Sequence, residues 1–291
     1  MESSKKIIVK IVNAFVDNEK GGNPAGIVRD ADNLSTDEKL AVASKVGLSE
    51  TAFISSSKKA AFKLEFFTPT KQIAHCGHAT IAAFSYLSQL GEIENPNSSK
   101  ETIDGTREVV LQDGLAFMEQ REPKYSTIER KKVLRSLNLD EDDLIAKQDI
   151  SIVNTGNAFA IVPVSTPEIL REMKPDFDSI NKISEDDDLI GYYVFCTQAS
   201  STKRDASTRM FAPRYGIKEE AATGMAAGPL ASYLHDKLHY KKDRFLIEQG
   251  WFMNVPSPSL LIVELTVENE RITKIMAGGK GVQINTLVIE I

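Results

Sequence analysis

An internal repeat is the sequence feature that most constrains how this chain can fold. Two segments share a glycine, an alanine two residues later and Ser-Tyr-Leu beginning eight residues after the glycine. They begin at Gly77 and Gly224, 147 residues apart, which is about half of the 291-residue chain. A second pair of similar segments begins with Gly-Asn at Gly22 and Gly156. Such self-similarity predicts two copies of one structural unit.

In each copy the glycine opens an apolar helix. The stretch His78–Leu90 is apolar on nearly every side, and Ala226–Leu238 repeats this character. A helix without a polar face is buried all round, so each is expected to run through the middle of a curved sheet. Because Pro229 lacks an N–H group, we expect the second helix to begin near Met225 or Ala226. The sequence predicts an α+β fold of two pseudo-symmetric domains, each a curved sheet around a central buried helix.

The boundary between the two halves is expected in the segment Glu119–Ser126, which contains Arg-Glu-Pro-Lys. We predict that residues 1–122 form the N-terminal half, with Glu50 and the first central helix. Residues 123–291 are predicted to form the C-terminal half around the second helix. Their last strand is a candidate for returning to the first half.

Composition excludes several classes of function. A net charge of −6, with no basic block, argues against a nucleic-acid surface. No apolar run approaches the roughly 20 residues that span a bilayer, and no apolar signal segment follows the N-terminal residues. Two cysteines in this length give no disulfide framework. We expect a cytoplasmic protein with no nucleic-acid or membrane partner.

Glu50 is a candidate for proton transfer. On a strand, Glu50 shares the apolar face of Leu48, Ala52 and Ile54. A carboxylate is costly to bury as an ion, so a carboxyl group there suits the movement of protons. The alternative is a glutamate at a strand end whose side chain reaches water.

The sequence His75-Cys76-Gly77-His78 places polar side chains at the start of the first helix. Backbone N–H groups at a helix start bind carboxylate or phosphate groups, and a histidine there can bind substrate or relay a proton. The alternative for His78 is a helix cap packed on the core. The ligand spacing is not that of a metal site, and we predict none. Cys76 can act as a thiolate at a helix start, but Thr223 occupies the matching position in the second half.

Glu219 and Glu220 precede the start of the second helix. They can stabilise the helix dipole. Alternatively, Glu220 faces a cleft between the halves and orients His78 or the substrate. In that case the N–H groups of Gly224 and Met225 lie opposite those of the first helix.

Taken together, the motifs resemble the phenazine-biosynthesis (PhzF-like) isomerase family, in order and over nearly the whole chain. The resemblance implies the fold of diaminopimelate epimerase and proline racemase, with two mostly antiparallel α+β halves and the site between them. It also implies a homodimer that acts without a cofactor on a small carboxylate-bearing substrate. The matching segments are Gly22-Asn23-Pro24-Ala25, Leu48-Ser49-Glu50-Thr51-Ala52-Phe53, Cys76-Gly77-His78-Ala79-Thr80, Thr155-Gly156-Asn157, Arg209-Met210-Phe211-Ala212-Pro213, Ala222-Thr223-Gly224, Gln249-Gly250 and Gly278-Gly279.

The resemblance also implies roles for individual residues. Glu50 matches the catalytic acid/base, which takes a proton from one carbon and returns it to another. His78 matches the histidine that positions substrate and proton. Glu220 stands where the family usually has aspartate. Gly77 and Gly224 match the glycines whose amides hold the substrate carboxylate.

Asn23 and Thr223 lie in matching segments and are assigned to substrate binding, together with Met225. Three residues depart from the family pattern. Met225 stands where many relatives have a serine, Val255 replaces an arginine and Ala221 replaces a proline. The loss of a hydroxyl and a guanidinium group predicts a substrate less polar than the phenazine precursor, or none.

Three hypotheses therefore remain open. The first is an isomerase that uses Glu50 as its acid/base. The second is a thiol-based epimerase or dehydratase that uses Cys76. The third is a binding or regulatory protein that keeps the fold without turnover.

Overall fold

A computed structural model describes residues 5–291 of the chain. The chain divides into two compact units: Met1–Glu119 with Gly278–Ile291 (the first unit), and Gln120–Ala277 (the second unit). Helices and strands are numbered in chain order. The α-helices are α1 Thr36–Val46, α2 Gly77–Gln89, α3 Arg130–Leu137, α4 Pro167–Glu172, α5 Phe177–Asp186 and α6 Gly224–Asp236. The strands are β1 Lys6–Ala14, β2 Asn23–Val28, β3 Thr51–Ser55, β4 Phe62–Phe67, β5 Gln72–Ile73, β6 Asn97–Thr102, β7 Gly105–Gln112, β8 Leu115–Gln120, β9 Lys124–Thr127, β10 Ser151–Asn154, β11 Ala158–Pro163, β12 Gly191–Cys196, β13 Ala206–Ala212, β14 Ile217–Glu220, β15 Arg244–Gln249, β16 Ser259–Glu268, β17 Arg271–Gly279 and β18 Gly281–Glu290.

The sheet of the first unit is mixed but mostly antiparallel. Strand β1 pairs antiparallel with both β2 and β18, and β2 pairs parallel with β3. Strand β3 pairs antiparallel with β4, which pairs parallel with β6, and β6 to β8 follow as antiparallel neighbours. At the turn before β2, Gly22 has a φ of +88°, and a Cβ atom there would collide with the carbonyl oxygen of Ala14. Only glycine adopts this conformation readily in so close a space.

Helix α1 begins and ends where its sequence directs. Ser35 caps the first turn by accepting a hydrogen bond from the Glu38 N–H, and the Glu38 carboxylate accepts one from the Ser35 N–H in return. Gly47 ends the helix in the left-handed conformation. One face of the helix carries Val42 and Ala43 into a core cluster with residues of β1, β2 and β3.

Helix α2 is buried along almost its entire length. Every residue from Gly77 to Leu87 is buried, and the helix packs against β1, β2, β3, β7 and β18 of the first unit. A helix surrounded by strands in this way has no surface to present to water, which explains its all-apolar sequence.

The second unit contains its own central helix. Strands β9, β10 and β11 are antiparallel neighbours, β11 pairs parallel with β12, and β12 pairs antiparallel with β13. Strand β13 pairs antiparallel with β14 and parallel with β15. Strand β15 in turn pairs antiparallel with β16. Helix α6 is buried from Ala226 to Leu234 and packs against β10, β11 and β16. Helices α4 and α5 pack against β12 and β13.

The start of α6 differs slightly from the sequence prediction. The helix begins at Gly224, one or two residues earlier than expected, and Pro229 therefore lies inside the helix. A proline there cannot donate to the carbonyl oxygen of Met225, which costs the second turn one backbone hydrogen bond.

The fold class predicted from the repeat is confirmed: two α+β units each hold a 13-residue buried helix that begins at the repeated glycine. The segment Glu119–Ser126, predicted as a boundary, also contains most of strand β9. None of the helices that residues 5–291 form combines the length and the apolar character needed to cross a membrane.

Candidate functional site

Glu50 and His78 meet inside the first unit. Glu50 lies one residue before β3 and is 8% exposed, while His78 is the second residue of α2 and is 4% exposed. Oε2 of Glu50 is 3.3 Å from Nε2 of His78. The backbone fixes Glu50 as well, because its carbonyl oxygen accepts a hydrogen bond of 3.1 Å from the Gly26 N–H. A buried carboxyl group beside an imidazole is an arrangement that can accept and release protons.

Cys76 belongs to the same group. Its Sγ is 3.6 Å from Nδ1 of His78, and its sulfur also lies within 4.8 Å of a Glu50 carboxylate oxygen. Cys76 is the residue that precedes α2, and its side chain does not cap the helix. Backbone N–H groups at a helix start, here those of Gly77 and His78, carry partial positive charge that favours an anion.

Three different donor atoms are close enough together to be considered as metal ligands. The nearest carboxylate oxygen of Glu50, the sulfur of Cys76 and a nitrogen of His78 lie within 4.8 Å of one another. Sequence spacing alone did not bring Glu50 into this group. The same three side chains suit acid/base chemistry, because a carboxyl group, a thiol and an imidazole can each exchange a proton.

In the second unit, Glu220 and Thr223 form a compact polar group before α6. The Thr223 hydroxyl donates to the Glu220 carboxylate. Gln249, which is fully buried, accepts a hydrogen bond from the Thr223 N–H at 3.1 Å and donates to the Glu220 carbonyl oxygen at 2.7 Å. In the sequence Gln249 stands out only as part of a family motif, whereas in the structure it organises this turn.

A second glutamine supports the start of α6. Nε2 of Gln120 donates to the carbonyl oxygen of Gly224 at 2.8 Å, and its Oε1 accepts from the Thr155 hydroxyl at 2.8 Å. Met225, the next helix residue, has its sulfur 3.3 Å from Nδ2 of Asn157. The segment Thr155-Gly156-Asn157 is thus brought to the start of the second central helix.

The remaining predicted residues are distributed between the two units. Asn23 is buried in the first unit, where it begins β2 opposite Ala14. Ala221 is buried just before α6, whereas Val255 lies on a loop and is 80% exposed. The predicted substrate-binding roles of these residues remain predictions.

Comparison with known families decides the class of the protein. A model of the family described as phenazine biosynthesis-like protein matches residues 12–286. The chain belongs to the phenazine biosynthesis-like family.

Named relatives of this family are isomerases. A protein of Clostridium acetobutylicum named as an uncharacterized isomerase is 31% identical over 285 residues, covering 94% of this chain and 94% of that relative. A trans-2,3-dihydro-3-hydroxyanthranilate isomerase of Pseudomonas chlororaphis is 28% identical over 281 residues, covering 94% of this chain and 95% of that protein. The chain is thereby grouped with isomerases.

A solved structure of the phenazine biosynthesis-like family shows the same fold. The crystal structure of the Bacillus anthracis phenazine biosynthesis protein of the PhzF family superposes with a TM-score of 0.88 at 27% sequence identity. The similarity covers 99% of this chain and 100% of that chain.

Proposed function

We propose that the protein is a cofactor-independent isomerase in which Glu50 moves a proton between two carbons of a small carboxylate-bearing substrate. The observation that carries the proposal is the 3.3 Å approach of the Glu50 and His78 side chains, both buried, at the start of α2. In this proposal Glu50 takes the C–H proton and returns a proton to another carbon. The reaction involves no oxidation, and the numbers of protons and electrons are unchanged.

The substrate carboxylate is assigned to backbone N–H groups at a helix start, where the partial positive charge of the helix favours an anion. Gly77 and His78 supply such groups in the first unit. We further propose that Gly224, Met225 and Thr223 of the second unit contact the substrate, that Glu220 is a third catalytic residue and that Asn23 binds the substrate. The protein is proposed to act as a homodimer.

The relative of known substrate suggests the first compound to test. That relative is named for trans-2,3-dihydro-3-hydroxyanthranilate, a ring that bears a carboxylate. Met225 offers a thioether in place of a hydroxyl, so this chain should favour a ring with fewer polar substituents. The panel to test is a set of unsaturated cyclic acids that contains this compound and analogues with fewer polar substituents.

Solvent exchange tests the role of Glu50 directly. The protein in D₂O should incorporate deuterium into a substrate C–H position, detected by proton NMR. Glu50→Gln should lower the exchange rate by about 10²- to 10⁴-fold, the range typical of a lost general acid/base. Glu65→Gln is the matched control, because Glu65 is another poorly exposed glutamate of the first unit, paired with Lys39 at 2.5 Å. Wild-type exchange in the folded Glu50→Gln variant would falsify the assignment.

A thiol mechanism is the second candidate, because Cys76 Sγ lies 3.6 Å from Nδ1 of His78. A thiol beside an imidazole can be deprotonated and then act as a base or nucleophile. In that case Cys76→Ala should lose exchange while Glu50→Gln keeps it. Full activity in Cys76→Ala would exclude the thiol mechanism.

A further inference from the structure

Lys100 is a fully buried lysine in β6 that sequence analysis did not single out. Its exposed fraction is 0%, and no ion pair with a carboxylate accompanies it among residues 5–291. Its Nζ instead lies 2.7 Å from the Thr80 hydroxyl, 3.1 Å from Nδ1 of His75 and 3.9 Å from the sulfur of Met118. The face of the Phe66 ring is 5.4 Å away. An ammonium group has three N–H donors, and each has one acceptor here.

Two of these partners flank the start of α2: His75 precedes the helix and Thr80 lies in its first turn. The Thr80 hydroxyl donates to the carbonyl oxygen of Cys76 at 2.6 Å, so a chain of hydrogen bonds runs from Lys100 through Thr80 to Cys76. His75 is held directly by the same Nζ. Lys100 therefore contacts one residue on each side of His78 in the chain, His75 before it and Thr80 after it.

We propose that Lys100 is a positioning residue of the candidate site, which fixes residues 75 and 76 so that His78 stays against Glu50. The inference rests on the proposed function only for the identity of that site. Lys100 does not touch Glu50 or His78 and acts through Thr80 and His75.

Stability alone does not account for a lysine at this position. Burying an ammonium group without a carboxylate partner is costly, and an apolar side chain of similar length would avoid that cost. Burial lowers the pKa of Lys100 to about 7. Nearby charges act in both directions on this pKa, since Cys76 and Asp104 raise it and Arg107 lowers it. A buried lysine that lowers the stability of the fold in this way is more typical of a functional site than of a packing position.

The state of His75 supports a directional contact. Burial and the neighbouring Lys100 and Arg107 charges hold the pKa of His75 well below its usual range. The ring is therefore neutral, and its Nδ1 can accept a hydrogen bond from the lysine while Nε2 carries the ring proton. The lysine thereby selects one tautomer of His75 as well as its orientation.

Nitrogen NMR of the four histidines tests the proposal without a substrate. In the wild type, His75 should show a protonated Nε2 and an Nδ1 resonance shifted by hydrogen bonding. In Lys100→Met the His75 Nδ1 resonance should move downfield as the bond is lost, and the His78 resonances should shift with it. Lys39→Met is the matched control, a buried lysine of α1 paired with Glu65, and it should leave both histidines unchanged.

Deuterium exchange with the substrate provides the second measurement. Lys100→Met should lower kcat by about 10- to 100-fold, the loss that a displacement of about 1 Å causes, with little change in KM. Thr80→Val interrupts the same chain and should have a similar effect, and the double variant should be no slower than the slower single variant. If Lys100→Met does not fold, Thr80→Val carries the test alone.

The possible failures are distinguishable. The positioning role would be overturned if the His75 and His78 resonances of Lys100→Met were those of the wild type, whatever turnover that variant shows. If Lys100→Met does not fold, the same result in Thr80→Val would overturn it. Additive losses in the double variant would also overturn it, because the two residues would then act separately. Unchanged exchange in Glu50→Gln, with the NMR result as expected, would instead overturn only the proposed function.

Discussion

The side chain of Gln249 makes two hydrogen bonds to Thr223: it accepts one from the Thr223 N–H and donates one to the Thr223 hydroxyl, each at 3.1 Å. Its Oε1 also accepts from the hydroxyl of Tyr193 at 2.9 Å, and Gln249 is completely buried. This pair fixes the residue that immediately precedes α6 of the second unit. A buried amide with every bond satisfied is a rigid support, and it is costly to disrupt.

Replacing this glutamine should therefore destabilise the second unit. In Gln249→Met, the Thr223 N–H and the Tyr193 hydroxyl lose an acceptor inside the core, and each such loss costs about 1–3 kcal/mol. We expect a lower urea midpoint and, if Thr223 and Gly224 bind substrate, a higher KM. Gln198→Met, at an exposed position of the same unit, is the control and should change neither quantity. An unchanged urea midpoint in Gln249→Met would contradict the supporting role.

Gly228 should not tolerate alanine, although alanine favours helices. A Cβ atom at this position of α6 would overlap Oε1 of Gln120, whose amide supports Gly224. Overpacking of this kind costs about 1–3 kcal/mol, which exceeds the gain in helix propensity of about 1 kcal/mol. Gly228→Ala should lower the free energy of unfolding measured in urea. Adding Gln120→Ala frees the space, so the double variant should lose less stability than the sum of the two single variants.

Lys100 should give the stability of the protein a distinctive pH dependence. Its pKa is 10.5 in the ordinary state and about 7 when buried. Between these values the unfolded chain binds the proton and the folded chain does not, so raising the pH from 7 to 10 favours folding. Relative to Lys100→Met, the wild-type free energy of unfolding should rise by up to about 1.4 kcal/mol per pH unit.

Urea unfolding of both proteins at pH 7, 8 and 9 measures this difference, because groups away from Lys100 titrate equally in the two and burial keeps the pKa of His75 below this range. Below pH 7 the difference should level off, with Lys100 protonated in both states and its burial cost fully present. A difference that is flat from pH 7 to 9 would show that the buried lysine does not exchange its proton in this range.

Chelation of metals should leave turnover unchanged. The proposed proton transfer by Glu50 needs no metal ion, although Glu50, Cys76 and His78 offer three donor atoms within 4.8 Å of one another. Dialysis of the active protein against EDTA, followed by the deuterium-exchange assay, should return the original rate. Loss of activity that zinc restores would favour a metal bound by these three side chains.

The local features of the fold could be predicted because neighbouring residues determine them. The spacing of the repeat located both buried helices to within two residues, and Ser35 and Glu38 marked the start of α1. Alternation placed Glu50 on the buried side, although β3 begins one residue after it. In each case the relevant interaction spans only a few positions of the chain.

The supporting residues could not be predicted in this way. Lys100 reaches Thr80 across 20 residues, and Gln120 reaches Gly224 across 104. Single polar residues such as these have no local pattern, and their partners are set by how the strands pair. A lysine between polar neighbours in β6 resembles an ordinary surface residue until the sheet is assembled.

The pairing of β1 with β18 has a consequence for biosynthesis. Lys10 of β1 and Thr286 of β18 are hydrogen-bonded neighbours separated by 276 positions in the chain. The ribosome delivers β1 well before β18, so β1 lacks one of its partners until residues 281–290 have been translated. The second unit is continuous in sequence, so it can fold while the sheet of the first unit is still incomplete. We therefore expect the second unit to complete its fold before the first unit, which reverses the usual N-to-C order of co-translational folding.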